Sequence, residues 1–312
     1  MNRVVAILFA ALLIASLAFA QAPAPQGTQP AQGAPSGQQP QAGQQPAQAA
    51  PATPAPLGRK LPEAKSKEEF EAYRTAITTA TDAATTEAAA VDFAKKFPQS
   101  EIRSLIFTRA MMLYQQQNNA EKAIEMGREV LKIVPNDPSA ATIVAYDLAE
   151  TTRSTDLDKD EKLKEAEANA KLALANVDTN LLIPQTATPE QVDGLKRFVR
   201  SSAYGALAQT SLVREDYKAA EEYLRKGIDS DPANPEPVLW LRLSIALDRQ
   251  KRYPEALNAA NKALSLSPAN SPMFNQAKDQ RDRLTQLAGS GAAAPQTTPA
   301  KPATQAPAPT KP

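Results

Sequence analysis

Between residues 66 and 287 apolar side chains recur at three- and four-residue steps, as in Phe70, Tyr73 and Ile77 or Leu239, Leu243 and Leu247. That spacing places them on one face of a helix. β-Branched and aromatic residues never alternate over a useful length, so strands are not predicted. Prolines punctuate the pattern at 62, 98, 135, 138, 184, 189, 232, 235, 237, 254, 268 and 272. Glycine is rare between them, at 127, 194, 205 and 227 only. The body, residues 61–287, is predicted to be all helix.

Three segments of this body align without gaps. The first carries Phe107, Ala110, Met111, Tyr114, Ala123, Gly127, Val130 and Pro135. The second carries Tyr204, Leu207, Ala208, Ser211, Ala220, Leu224, Gly227 and Pro232. The third carries Trp240, Leu243, Ser244, Leu247, Ala256, Ala260, Ala263 and Pro268. The spacing resembles the tetratricopeptide repeat, a 34-residue helix-turn-helix unit with W-x2-L-G-x2-Y, then A-x3-F, then P. The match is strongest at 236–269, where Trp240 holds the aromatic position and Tyr253-Pro254-Glu255-Ala256-Leu257 opens the second helix.

Each position has a physical reason. The aromatic residue of helix A packs against helix B of its own unit. The alanines at 123, 220 and 256 sit where the two helices cross, and a larger side chain would push them apart. Pro135, Pro232 and Pro268 end helix B by removing an amide donor. Pro254 sits in a first turn, where proline is tolerated. Two further units are looser. Phe70, Tyr73, Ile77, Ala90, Phe93 and Pro98 keep the register, with Thr86 in place of the crossing alanine. In 139–177, Val144, Ala145 and Leu148 fit helix A and Ala166, Ala170 and Ala173 fit helix B, across a loop at about 152–159. An insertion, 178–190, follows. Met111 and Val130 are larger than the family pattern, which predicts wider helix packing there. Residues 272–287 read as a helix that caps the stack. The expected fold is therefore all-α, a solenoid of about five helical hairpins with a capping helix and disordered tails.

The ends differ in composition. Met1-Asn2-Arg3 is followed by an apolar run to Ala20, broken only by Ser16, and ends in Ala18-Phe19-Ala20. This reads as a signal peptide, residues 1–20, cleaved after Ala20, and the expected location is periplasmic or secreted. An uncleaved anchor is the rival reading. After cleavage no membrane span is expected. Residues 21–60 are a Pro/Gln/Ala-rich linker and 288–312 an Ala/Pro/Thr-rich tail. Neither offers enough apolar surface to offset chain entropy, so both are expected to be disordered. Spacer, tether and simple solubilising linker all fit that composition.

Chemistry is bounded mainly by zeros. There are no His and no Cys. Disulfides, thiolate nucleophiles, imidazole bases and zinc sites built on those residues are excluded. With 35 basic and 34 acidic residues the chain lacks the excess positive charge of a nucleic-acid binder. Asp156, Asp158, Asp160 and Glu167 reproduce the 1, 3, 5, 12 spacing of a calcium loop. Glu161 stands where that loop needs a sharp turn, so acidic residues opening a helix are the favoured reading. No phosphate-binding glycine loop occurs. Glu221-Glu222 and Asp147 with Glu150 are the carboxylates that an acid/base enzyme would use, the less favoured alternative. Neither a cofactor nor a metal site is expected.

What remains is a groove. The resemblance implies that helices A line a concave face that binds a partner protein. By register that face would present Thr108, Met112 and Gln115, then Gly205, Gln209 and Leu212, then Leu241, Ile245 and Asp248. The Lys/Asn clamp with which some family members hold acidic chaperone tails is missing. Leu181-Leu182-Ile183 in the insertion is a second docking candidate, although packing against the stack is the favoured reading. The expectation is an exported scaffold or adaptor that binds another envelope protein and is not an enzyme. Self-association into a structural or tethering homo-oligomer is the alternative.

Overall fold

The computed structural model describes residues 58–184 and 186–289. The expected signal peptide, the linker through residue 57 and the tail from 290 lie outside the described residues. Among those described, eleven helices follow one another as hairpins. The first pairs α1 (Lys67–Thr79) with α2 (Ala83–Lys96), and the second α3 (Arg103–Gln116) with α4 (Ala120–Ile133). The third pairs α5 (Pro138–Thr151) with α6 (Lys159–Asn176), and the fourth α7 (Pro189–Val213) with α8 (Tyr217–Ser230). The fifth pairs α9 (Pro237–Arg249) with α10 (Tyr253–Leu266), and α11 (Pro272–Gly289) closes the array.

The repeat register is written into the turns. In units two, four and five, the second residue past helix A takes positive φ: Asn118 at 56°, Glu215 at 61° and Lys251 at 61°. Each donates its amide three residues back, and the next residue donates five back: Asn119 to Tyr114, Asp216 to Ser211, Arg252 to Leu247. This is the Schellman pattern, which satisfies carbonyls that a helix end would otherwise leave open. Helix starts are capped by side chains from Ser66, Asp82, Asn119, Asp137, Thr188 and Asp216.

The crossing alanines Ala123, Ala220 and Ala256 are fully buried, as is Ala166 in the third unit. Thr86 is equally buried and directs its hydroxyl to the Asp82 carbonyl at 2.6 Å, so the polar atom is satisfied locally, by the cap of its own helix. Met111 and Val130 are also fully buried. Gly127 provides room for Met111: a Cβ there would stand 3.2 Å from the Met111 sulfur and 2.5 Å from Val144 Cγ2. Pro135, Pro232 and Pro268 each fall two residues past the last helical residue. Trp240 is half-buried and packs on the cores of the last two layers.

Two features add to the repeat register. Helix α7 runs 25 residues, starting at Pro189, where the register alone would open the unit near Tyr204. Its first turns bury Val192, Leu195, Phe198 and Val199, the last three within the core of the first three units. Its last turns, with Ala208 and Leu212, belong to the core of units four and five. One helix thus spans two hydrophobic clusters. The second feature is the segment before α1. Arg59 pairs with Leu182 in the isolated parallel bridge found among the described residues, and Leu181 is fully buried in the first core. This part of the insertion is therefore packed, and its apolar residues serve the fold.

Units are also tied by a recurring glutamate one residue after the crossing position. Glu87 meets Lys122 at 3.1 Å, Glu167 meets Arg214 at 2.7 Å, and Glu221 meets Arg252 at 2.6 Å, each cation lying in the following unit. Partly exposed pairs of this kind contribute about 0–1 kcal/mol apiece. They repeat because the units repeat.

Candidate partner-binding face

Helices A of successive units, α3, α5, α7 and α9, share one side of the array. Glu150 on α5 accepts from Arg242 on α9, so units three and five reach each other past unit four. Such a contact forms only on the side toward which the stack bends, which identifies this side as concave.

The residues assigned to the face by register divide into two sets. Thr108, Met112 and Leu241 are buried in the array. Thr108 gives its hydroxyl to the Ser104 carbonyl at 2.8 Å. Met112 belongs to the first core, and Leu241 to the small cluster with Ala263 and Ala277. Gly205 is likewise buried, with Leu239 of the next unit closing on it, so this register position packs units together. The other set keeps accessible surface. Gln115, Gln209, Leu212, Ile245 and Asp248 are half-buried. Gln115 donates its amide to Asp147, and Asp248 accepts from Arg283 of the capping helix.

The register did not single out Tyr146 and Arg242, and it gave Asp147 no special environment. Asp147 is buried, and burial pushes its carboxyl up to about 7; the Gln115 amide works against that rise and the nearby Glu150 adds to it. Tyr146 is pushed up to about 12, by burial first and then by Glu150, with Arg242 opposing. Arg242 is mostly shielded, and its Nη1 has no partner among the described residues while Nη2 serves Glu150. The face therefore joins half-exposed apolar and amide side chains to a string of paired polar groups: Gln115 with Asp147, Glu150 with Arg242, and Asp248 with Arg283. An acidic residue at a helix position flanked by apolar neighbours, as in Tyr146-Asp147-Leu148-Ala149, was the available signal.

Of the other carboxylates singled out by sequence, Asp160 is exposed and five have structural partners. Asp158 meets Lys162 at 2.9 Å, Asp156 accepts from the Arg153 amide, and Glu167 holds Lys171 and Arg214. Glu221 is shared by Arg225, Gln250 and Arg252, and Glu222 meets Lys226 at 2.6 Å. On the opposite side an open groove between α2 and α4 is lined by Val91, Ala94, Phe107 and Met126. Among the described residues, no helix is long and apolar enough to cross a membrane.

Stacked hairpins with positive-φ turns, crossing alanines and a helix-A face define an α-solenoid of the protein-binding kind. Tetratricopeptide repeat models match residues 201–234 and 237–270, so the fourth and fifth units carry tetratricopeptide repeats. No curated protein matches the sequence. Solved structures that it is similar to include the MamA protein, at 14% identity over 60% of this chain and 88% of that one, TM-score 0.38. TTC0263, a thermophilic tetratricopeptide repeat protein of Thermus thermophilus, shares 16% identity over 70% of this chain and 98% of its own, TM-score 0.37. PilW, a type IV pilus biogenesis factor, shares 16% identity over 67% of this chain and 98% of its own, TM-score 0.35.

Proposed function

We propose that the protein is an exported scaffold or adaptor that holds another envelope protein on the concave face and performs no chemistry of its own. The observation that carries this reading is the composition of that face. Tyr146, Gln209, Leu212 and Ile245 offer shallow apolar and amide contacts, framed by charge pairs formed within the array. Such a lining suits an extended or amphipathic segment of a partner. Export rests on the apolar leader and its Ala18-Phe19-Ala20 ending.

The test is in-cell crosslinking with mass spectrometry, comparing wild type with Gln209→Arg combined with Ile245→Arg. Both side chains are half-buried, so circular dichroism checks folding in parallel. Loss of one crosslinked partner from a folded variant supports the concave face, and retention of every crosslink rejects it. Sedimentation of the wild type at rising concentration separates self-association from binding of a different protein. N-terminal sequencing of the mature chain tests export: the expected first residue is Gln21.

A further inference from the structure

The segment ahead of α1 touches every junction between the first four units. Gly58 lies against the insertion that follows α6: a Cβ there would stand 2.4 Å from the Leu181 carbonyl and 2.5 Å from Ile183 Cγ1. Arg59 donates its amide to the Leu181 carbonyl at 2.8 Å, and its own carbonyl accepts from the Ile183 amide at 3.3 Å. Its guanidinium meets Asp137 at 3.0 Å, in the loop between α4 and α5. Lys65 then reaches the Gln99 carbonyl at 3.4 Å, in the loop between α2 and α3, and Ser66 caps α1. From Gly58 to Ser66 the chain crosses from the junction of units three and four back to unit one.

We propose that residues 58–66 are a latch that fixes the arrangement of the first three units and couples it to whatever acts on the Pro/Gln/Ala-rich chain preceding Gly58. This inference does not rest on the concave face. The latch is held by a few discrete bonds and, ahead of the cap residue Ser66, has no helical hydrogen bonds of its own, so it can open as one local unit while the helices stay formed. Its two main anchors are both structural elements of the array. Asp137 is buried and caps α5 through the Ser139 and Ala140 amides at 3.0 Å, so Arg59 is the counterion of a helix cap. The Leu181–Ile183 segment places Leu181 in the core and turns its backbone edge to Arg59. Unit one needs such an anchor. The apolar side chains Phe70, Tyr73 and Ile77 of α1 are only half-covered, and the C-terminal end of α1 is held by Arg109, which donates to the Ile77 and Ala80 carbonyls. A pull on the chain before Gly58 therefore loads the middle of the array before its end.

The experiment uses the full chain. It has no cysteine, so spin labels at Ala84→Cys on α2 and Ala175→Cys on α6, both exposed, report the distance from unit one to unit three. Two variants open the latch by different routes. Gly58→Val introduces the clash with Leu181 and Ile183. Asp137→Asn keeps the α5 cap and removes the charge that Arg59 meets. In both, the distance distribution is expected to broaden, and exchange of the Arg59 and Ile183 amides to accelerate about tenfold or more, with exchange in α9–α11 unchanged. A distance distribution as narrow as wild type once those two amides are exposed overturns the latch. So does acceleration spread evenly over all helices, which would make the segment an ordinary part of one cooperative fold.

Discussion

Asp147 is the residue at which burial and charge disagree. Burial first, and then Glu150, raise its carboxyl from the ordinary aspartate value of 3.8 to about 7. A carboxyl raised in the folded state binds protons more tightly there than in the unfolded chain, so stability falls as pH rises from about 4 to about 7 and then levels. A difference of that size is worth about 4 kcal/mol at full ionisation. Asp147→Asn keeps the acceptor for the Gln115 amide and removes the charge. It is expected to raise Tm by several degrees at pH 8, to do little at pH 4, and to flatten the slope between them in thermal melts. Lys251 is strained for a different reason. Its φ of 61° is a left-handed conformation that a Cβ disfavours, and it occupies the turn that Asn118 fills in the second unit. Lys251→Gly is expected to stabilise by about 0.5–1 kcal/mol in urea unfolding, and Asn118→Gly by less, because asparagine tolerates that conformation.

At the scale of the element, α7 contributes buried residues to two cores. Phe198 is buried in the first of them, whereas Ala208, further along the same helix, lies in the second. Phe198→Ala is expected to cost about 3 kcal/mol. Because contacts in a repeat array are between neighbours, the loss falls on α5, α6 and the first half of α7, and hydrogen exchange in α10 stays near wild type. Uniform acceleration would show the two cores to be one cooperative unit. The long form of α7 was only partly legible. Thr188-Pro189 with Gln191 is a capping signal, and Val192, Leu195 and Val199 keep helical spacing, but the repeat register draws the start of the unit to Tyr204. The crossing alanines and terminating prolines were legible because each answers to contacts inside one unit. The candidate face was less so. Met112 and Gln115 hold neighbouring register positions, yet Met112 is buried and Gln115 reaches Asp147. What separates them is the curvature between units, which depends on the insertion, the latch and the long helix, and no single repeat carries that information.

For the whole molecule, an array of hairpins has two ends, and each leaves an apolar face that the next unit would have covered. At the N-terminal end Phe70, Tyr73 and Ile77 remain half-covered, with Arg109 and the latch holding α1 in place. At the other end α11 does the covering. Ala277 and Leu284 are fully buried, the first against Leu241 and Ala263 and the second in the core of α8–α10. Its opposite side is polar, with Lys278, Asp279 and Arg283 exposed, and Arg283 also pairs with Asp248 on the concave face. The capping helix therefore both closes the core and sets the last charge of the candidate face. These roles separate in two changes. Arg283→Ala removes the pair and leaves Leu284 in place, so stability is expected to change by less than about 1 kcal/mol. Ending the chain after Asn270 exposes Leu241, Ala260 and Ala263 together. That form is expected to fold, because α1 to α8 keep their neighbours, and to self-associate through the uncovered end, seen as mass that grows with concentration in sedimentation. A truncated chain that stayed monomeric with its helical signal intact would mean that α10 shields its own face, and α11 would then belong to the binding surface instead of the core.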